Sequence, residues 1–199
     1  MTTSLATMLA SVYALTKRPD LVSETTLAIQ NATLKAHRSD YYPKDLFEQG
    51  LQFDFSLTQQ SLEYKTLIPR WRSLKYVRKF DYTTPPGVPT QYLELITPEN
   101  VLDSFSINRE DVCYLAGLEL QIRCKMATQY FLLGCYLYPD VTANGYSSWI
   151  ADEMPAVILY EAAAVVFKTI GYDEQASAYR QMVIDEYMEL KQNIIAEGY

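Results

Sequence analysis

The side chains that could do chemistry are few and scattered in this 199-residue sequence. The single histidine, His37, has no cysteine or second histidine nearby, and Cys113, Cys124 and Cys135 recur every eleven residues, which matches no paired C-x-x-C zinc pattern. There is no phosphate-binding glycine loop, no G-x-G-x-x-G, no G-x-S-x-G turn and no H-E-x-x-H motif. We therefore expect no enzyme activity, no metal and no cofactor.

These residues have simpler structural interpretations. His37 falls near the end of a predicted helix, where we expect a partly exposed residue beside the negative end of the helix dipole. The three cysteines are expected to be small buried thiols in a sheet. Carboxylate pairs such as Asp152/Glu153 and Asp185/Glu186 are adjacent in sequence, so they point in different directions on a helix and cannot work together as acid and base.

A basic, aromatic segment is the other chemical candidate. Between Ser61 and Tyr82, six basic residues stand against two acidic ones, and aromatic residues are interleaved with them. Single-strand nucleic-acid binders combine stacking and phosphate contacts in this way. We favour the alternative, a half-buried pair of strands with a solvated basic face, because the whole chain has a net charge of −7. The candidate basic surface consists of Arg70, Arg72, Lys75, Arg78 and Lys79.

Helices are predicted at both ends of the chain. Apolar spacing predicts a helix over 3–16 and a second one, capped by Ser23, that reaches Arg38, so the two form a hairpin. On the second helix we expect Val22, Ile29, Ala32 and Ala36 to share one apolar side. Near the other end, Ser147 and Ser148 cap a short turn over 149–153 that continues with a kink at Pro155.

The two C-terminal helices are predicted to be covered differently. The first, about 154–169, is apolar all round and should be buried all round, and Gly171 ends it. The second, about 173–195, has one apolar stripe opposite a charged face. The stripe consists of Ala176, Tyr179, Val183, Tyr187, Leu190 and Ile194.

Strand patterns occupy the middle of the chain. Period-two alternation predicts strands over 51–55 and 62–68, and Trp71 to Phe80 continues extended with Val77 on the face opposite Leu74. A proline-rich loop covers 83–89, followed by a short strand over 92–96. Thr97-Pro98 is expected to start a short helix that reaches about Phe105. A hairpin over 112–124, turning at Ala116-Gly117, and a central strand over 129–138 complete the region.

The sequence therefore predicts an α+β protein with a helical core and an inserted antiparallel β region. Residues 1–49 and 147–199 form the helical core, and 50–146 form the insert. No apolar run is long enough to span a membrane, and the first residues lack the pattern of a signal peptide, so we expect an unexported protein. Nine acidic residues against three basic ones after Trp149, with the basic segment elsewhere, favour docking between charged surfaces. The seventeen tyrosines also favour contacts with other protein surfaces.

Five stretches resemble the head-to-tail adaptor, or connector, proteins of tailed bacteriophages. They are RPDL at 18–21, AHRSDYYPKDL at 36–46, IPRWR at 68–72, YSSWIA at 146–151 and FKTIGY at 167–172. The resemblance implies a virion protein at the head-tail junction, made in the cytoplasm of the host bacterium and assembled as a dodecameric ring. Its expected partners are the portal protein on one side, tail nozzle or tail-completion proteins on the other, and double-stranded DNA that passes through the channel without sequence-specific binding.

The same resemblance makes the C-terminal helix the expected portal-facing element. The candidate portal contacts are Arg180, Asp185, Tyr187, Glu189, Lys191 and Tyr199. We expect the isolated chain to be mostly monomeric, and a chain without 187–199 to fold but not to join the portal. Two other functions stay open at this point: a different tail-completion or nozzle component, and a single-strand nucleic-acid-binding module centred on 70–80.

Overall fold

The computed structural model describes residues 3–52, 58–80, 89–102, 104–125 and 130–196. It is a mixed α+β structure that divides into two compact units, Met1–Asp45 with Tyr138–Tyr199, and Leu46–Leu137. The predicted boundaries between the helical core and the β region were 49/50 and 146/147. The observed divisions come earlier because the first strand already begins at Leu46 and because 138–146 belongs with the helices.

Five helices make up the first unit. They are α1 (Leu5–Thr16), α2 (Val22–Arg38), α4 (Trp149–Glu153), α5 (Pro155–Thr169) and α6 (Asp173–Ala196), with a 3-10 turn at Pro43–Asp45 after α2. The helix α5 contacts α1, α2, α4 and α6, which explains why its sequence is apolar on every side. Among its larger apolar side chains Val165 is the exposed one, since 40% of its surface is exposed.

The N-terminal hairpin has the predicted extent, but the N-cap of its second helix differs from the prediction. Ser4 caps α1 by accepting a hydrogen bond from the N–H of Thr7 at 3.2 Å, and Lys17 ends the helix in a left-handed conformation with φ 56°. Ser23 was wrongly predicted to cap α2, because that helix begins one residue earlier and its N-cap, Leu21, offers no side-chain bond. Val22 was also wrongly placed on the apolar side, since it is 53% exposed.

The C-terminal helices agree closely with the prediction. Ser148 caps α4, the kink falls at Pro155, and Gly171 follows α5 with a left-handed φ of 80°. On α6 the described part of the predicted stripe faces α5: Ala176, Val183 and Leu190 are buried. Ile194 lies in the helix, but its side chain is outside the described part.

The second unit contains two four-stranded sheets. The first has the order β1 (Leu46–Gln52), β8 (Tyr130–Leu137), β3 (Trp71–Phe80) and β4 (Pro89–Tyr92). The second has the order β2 (Gln59–Glu63), β7 (Glu119–Arg123), β6 (Val112–Ala116) and β5 (Glu94–Leu95), with only the β5–β6 pair parallel. As predicted, β8 is central and pairs with two strands. The end of the strand predicted over 51–55 and most of the proline-rich loop predicted over 83–89 fall within 53–57 and 81–88, which lie outside the described part.

Strict alternation was the wrong expectation for β3. Its register against β8 shifts between Trp71 and Ser73 and again between Leu74 and Tyr76. Each irregularity adds a residue, so the buried positions Trp71, Leu74 and Val77 are three apart and Val77 shares its face with Leu74.

Two other local predictions were wrong. The segment after β2 is not a strand but one helical turn, α3 (Tyr64–Leu67), because Tyr64 and Ile68 are spaced to be buried on the same side. The helix predicted after Thr97 is a single 3-10 turn, Pro98–Asn100. The chain then reverses through Ser106, at φ 62°, and Leu102 pairs with Asn108. The hairpin is confirmed, with its turn one residue later, at Gly117-Leu118.

Candidate functional site

A buried polar network links three segments of the helical unit. The Nδ1 atom of His37 is 2.8 Å from Oδ1 of Asp45, and its Nε2 atom is 2.9 Å from Oγ of Ser148. The indole N–H of Trp149 donates to the same Asp45 oxygen at 2.8 Å. His37, Asp45 and Ser148 are all at most 8% exposed. The expectation of a partly exposed His37 was therefore wrong.

Carboxylate, imidazole and hydroxyl stand here in the order found in serine hydrolases. The hydroxyl of Ser148, however, also accepts the backbone N–H of Ala151 as the N-cap of α4, and only 4% of Ser148 is exposed. A neutral imidazole with its proton on Nδ1 accounts for both contacts of the His37 ring, because Nδ1 then donates to Asp45 and Ser148 donates to Nε2. We interpret this cluster as a structural junction that ties the end of α2 and the turn after it to the start of α4.

The sequence held one signal for this network. His37 follows Ile29, Thr33 and Ala36 on the same side of α2, and all of them are buried. That periodicity places His37 in the core, where a polar side chain needs hydrogen-bonding partners. Ser148, more than a hundred residues away in the chain, could not be identified as one of those partners from spacing alone.

The predicted portal contacts lie on α6 with different exposures. Arg180, Asp185, Glu189 and Lys191 are exposed. Tyr187 is half-buried, and burial raises its pKa, with smaller contributions from Glu161 and Tyr42. Tyr199 lies outside the described residues.

The charges of α6 are separated around its axis. With about 100° of rotation per residue, Arg180 and Lys191 point in nearly the same direction, whereas Asp185 and Glu189 point about 150° away from them. Glu186 lies beside this acidic side, and burial together with the charges of Glu189 and Asp185 raises its pKa. We call Asp185 and Glu189 the acidic flank.

Large apolar side chains are also exposed on α6. Ile184 and Met188 are 49% and 54% exposed, and the helical rotation places both between the two basic residues and the acidic flank. Met182, at 48%, lies on the other side of that flank. An exposed side of a helix that combines large apolar groups with charges is typical of a protein contact surface.

A groove opens where the end of α2 meets α6. Its lining residues are Lys35, Arg38, Ser39, Tyr187 and Lys191, and its volume is about 350 Å³. We call it the basic groove. Lys35 is bonded to Glu161 at 2.6 Å, and the guanidinium of Arg38 lies 5.1 Å from the centre of the Tyr138 ring. The hydroxyl of Tyr187 is buried and makes no hydrogen bond within the part of the chain that the structure describes.

The basic side chains of β3 contact other groups of their own unit. Lys75 lies 5.4 Å from the centre of the Tyr136 ring, Arg78 lies 4.6 Å from that of Tyr92, and Lys79 pairs with Asp111 at 2.9 Å. Arg70, just before the strand, is exposed, and Arg72 is half-buried. Several of the aromatic rings and charges that would meet a nucleic acid thus already contact each other.

The three cysteines are buried, as predicted, and none of them forms a disulfide with another described residue. Burial raises the pKa of Cys113 to about 12, with a smaller contribution from Cys124, and burial raises the pKa of Cys135 to about 11. Within residues 3–52, 58–80, 89–102, 104–125 and 130–196, no group of three His, Cys, Asp or Glu side chains is arranged to hold a metal ion. No helix in those ranges is long and apolar enough to cross a bilayer.

No protein-family model and no curated protein matches this chain.

Proposed function

We propose that this chain is a structural, non-enzymatic subunit of a bacteriophage head-tail junction. In this function, copies of the chain form a ring, expected to contain twelve, between the portal and the tail nozzle or tail-completion proteins. Double-stranded DNA passes through the ring, and the acidic net charge of −7 suits a channel in which DNA slides without being held. The virion is the corresponding location.

The exposed surface of α6 is the observation that carries the proposal. This helix is 24 residues long and packs against α5 with only one of its sides. Ile184 and Met188, each about half exposed, lie beside charges of both signs. A side chain of this size gains about 1.5–3 kcal/mol when it goes from fully exposed to fully buried, so a partner that covers these two half-exposed side chains gains about that amount in total.

The proposal leaves α6 as the portal-facing helix, with Arg180, Asp185, Tyr187, Glu189, Lys191 and Tyr199 as candidate contacts. The truncation that tests it has to be shorter than 187–199. Leu190 is 1% exposed and belongs to the core of the helical unit, so its removal would destabilise that unit by about 2–5 kcal/mol. Deletion of 192–199 keeps this core residue.

The deletion is tested by light scattering of the purified chain with and without portal rings. We expect the full-length chain to be mostly monomeric alone and to add mass to the rings, and the chain lacking 192–199 to bind them at least about tenfold more weakly. The matched control is Lys17→Ala with Lys168→Ala, which changes two exposed residues of the same unit outside α6. Unchanged binding of the truncated chain would exclude 192–199, with Tyr199, from the portal contact, because the other five candidate residues stay in the truncated chain.

Two alternatives have separate tests. A tail-completion or nozzle component would bind tail proteins but not portal rings in the same assay. A single-strand-binding module would bind an oligonucleotide tightly at physiological salt and would lose this affinity on substitution of Arg70, Arg72 and Lys75. We expect weak binding without sequence preference, because Lys75 already lies over the Tyr136 ring and the net charge opposes phosphate.

A further inference from the structure

The basic groove has unused binding capacity. Among the described residues Lys35 is paired with a carboxylate, Glu161, whereas Arg38 contacts an aromatic ring and the side chain of Lys191 is exposed. The Tyr187 hydroxyl adds a buried donor with no hydrogen-bonding partner in the described part of the chain. A buried polar group in this state is stabilised by an acceptor, and two cations beside it favour an anionic one.

The same helix carries a complementary surface. The acidic flank, Asp185 and Glu189, is exposed and lies about 150° around α6 from Lys191, which lines the groove. Glu186 adds a third carboxylate there, and the mutual repulsion of these groups is relieved when a cation approaches.

We propose that the basic groove of one copy binds the acidic flank of α6 from a second copy. Arg38 and Lys191 of the first copy then face Asp185 and Glu189 of the second. Residues 150° apart on one helix cannot both face the same neighbour. Each copy therefore gives its flank to one neighbour and its groove to another, which is the head-to-tail arrangement that closes rings.

This inference rests on the proposed function only for the ring in which the contact would be used. It also divides the surface of α6. Of the six candidate portal contacts it reassigns Asp185, Tyr187, Glu189 and Lys191 to neighbouring copies. Ile184 and Met188, with Arg180 and Tyr199, are left to face the portal. Each contact between copies is a partly exposed charge pair and is weak alone, which agrees with a chain that is mostly monomeric until a portal ring gathers its copies.

The first test is cross-linking between two variants that each add one exposed cysteine, Arg38→Cys and Glu189→Cys, mixed under mild oxidation. It captures weak association, and the native thiols are buried, with raised pKa values at Cys113 and Cys135. We expect the mixed dimer to exceed both self-cross-linked products at least about tenfold, because a head-to-tail contact brings 38 to 189 but not 189 to 189. Lys168→Cys, an exposed position at the end of α5, replaces Arg38→Cys in the control. A yield equal to this control would overturn the proposal.

The second test reverses charges and measures sedimentation at low salt, where exposed charges are screened least. Arg38→Glu with Lys191→Glu reverses the groove, and Asp185→Lys with Glu189→Lys reverses the flank. We expect each variant alone to associate about tenfold less than the native chain, and their mixture to recover association because both contacts are again complementary. Lys17→Glu with Lys168→Glu controls for the change in net charge. A mixture that stays as monomeric as its components refutes the contact.

Neither test contains a portal. Cross-linking without portal binding would leave the contact standing and overturn the proposed function. Portal binding that depends on 192–199, with no cross-link above the control, would overturn the contact alone.

Discussion

Asp45→Ala is the substitution that most directly tests the buried network. The Oδ1 atom of Asp45 accepts both from Nδ1 of His37 and from the indole of Trp149. In the Asp45→Ala variant both donors lose this shared acceptor, at a site that water does not reach. A buried donor that loses its partner costs about 1–3 kcal/mol, so the variant should lose about 2–6 kcal/mol of its free energy of unfolding. That is a large part of the ~5–15 kcal/mol of an ordinary domain.

Asp45→Asn is the matched control. Its side-chain oxygen occupies the place of Oδ1 and can still accept from both donors, so we expect it to retain most of the stability that alanine loses. The measurement is urea unfolding followed by tryptophan fluorescence in a Trp71→Phe background, which leaves Trp149 as the only indole. A loss below about 1 kcal/mol for Asp45→Ala, or equal losses for both variants, would refute the network as a source of stability.

Three further predictions concern the β unit. Burial alone would raise the pKa of Asp111, but hydrogen bonds from Lys79 and a backbone N–H outweigh it and lower the pKa. Asp111 therefore stabilises the fold above its unfolded pKa of 3.8, so Asp111→Asn should destabilise the protein near neutral pH but much less in acid unfolding measured below about pH 3. Gly134→Ala should cost about 1–3 kcal/mol in urea unfolding, because a Cβ there would lie 2.5 Å from the Tyr76 ring; wild-type stability would contradict this packing. Finally, a thiol reagent at pH 8 should label Cys113 at least about a hundredfold more slowly in the folded chain than in urea, since only the thiolate reacts; equal rates would contradict its burial.

The sequence predicted best where one local periodicity decides the structure. The apolar residues around α5 and the stripe on α6 follow directly from their spacing, and so do the cap at Ser148 and the end of the helix before Gly171. Each of these features is decided within a few turns of helix, by propensity and by which residues share a side.

Predictions failed where a distant segment decides. His37 is buried because Asp45 and Ser148 provide its partners, and Ser148 comes from the other end of the unit. The buried positions of β3 depend on bulges against β8, which no alternation within β3 can reveal. The basic groove is made by residues of α2 and α6, so it becomes visible only when the two helices are placed side by side.

The helical unit is built from both ends of the chain, so during synthesis it cannot be completed until its C-terminal helices have been translated. The β unit, Leu46–Leu137, is continuous and can fold as soon as the ribosome has released it. The α1–α2 hairpin emerges earlier, but α5, which packs against it and shares a core with Met8, Val12 and Ile29, is made only after the whole β unit. Those side chains therefore stay uncovered by α5 while more than a hundred further residues are translated, and closure of this long loop adds an entropic cost that slows the folding of the helical unit.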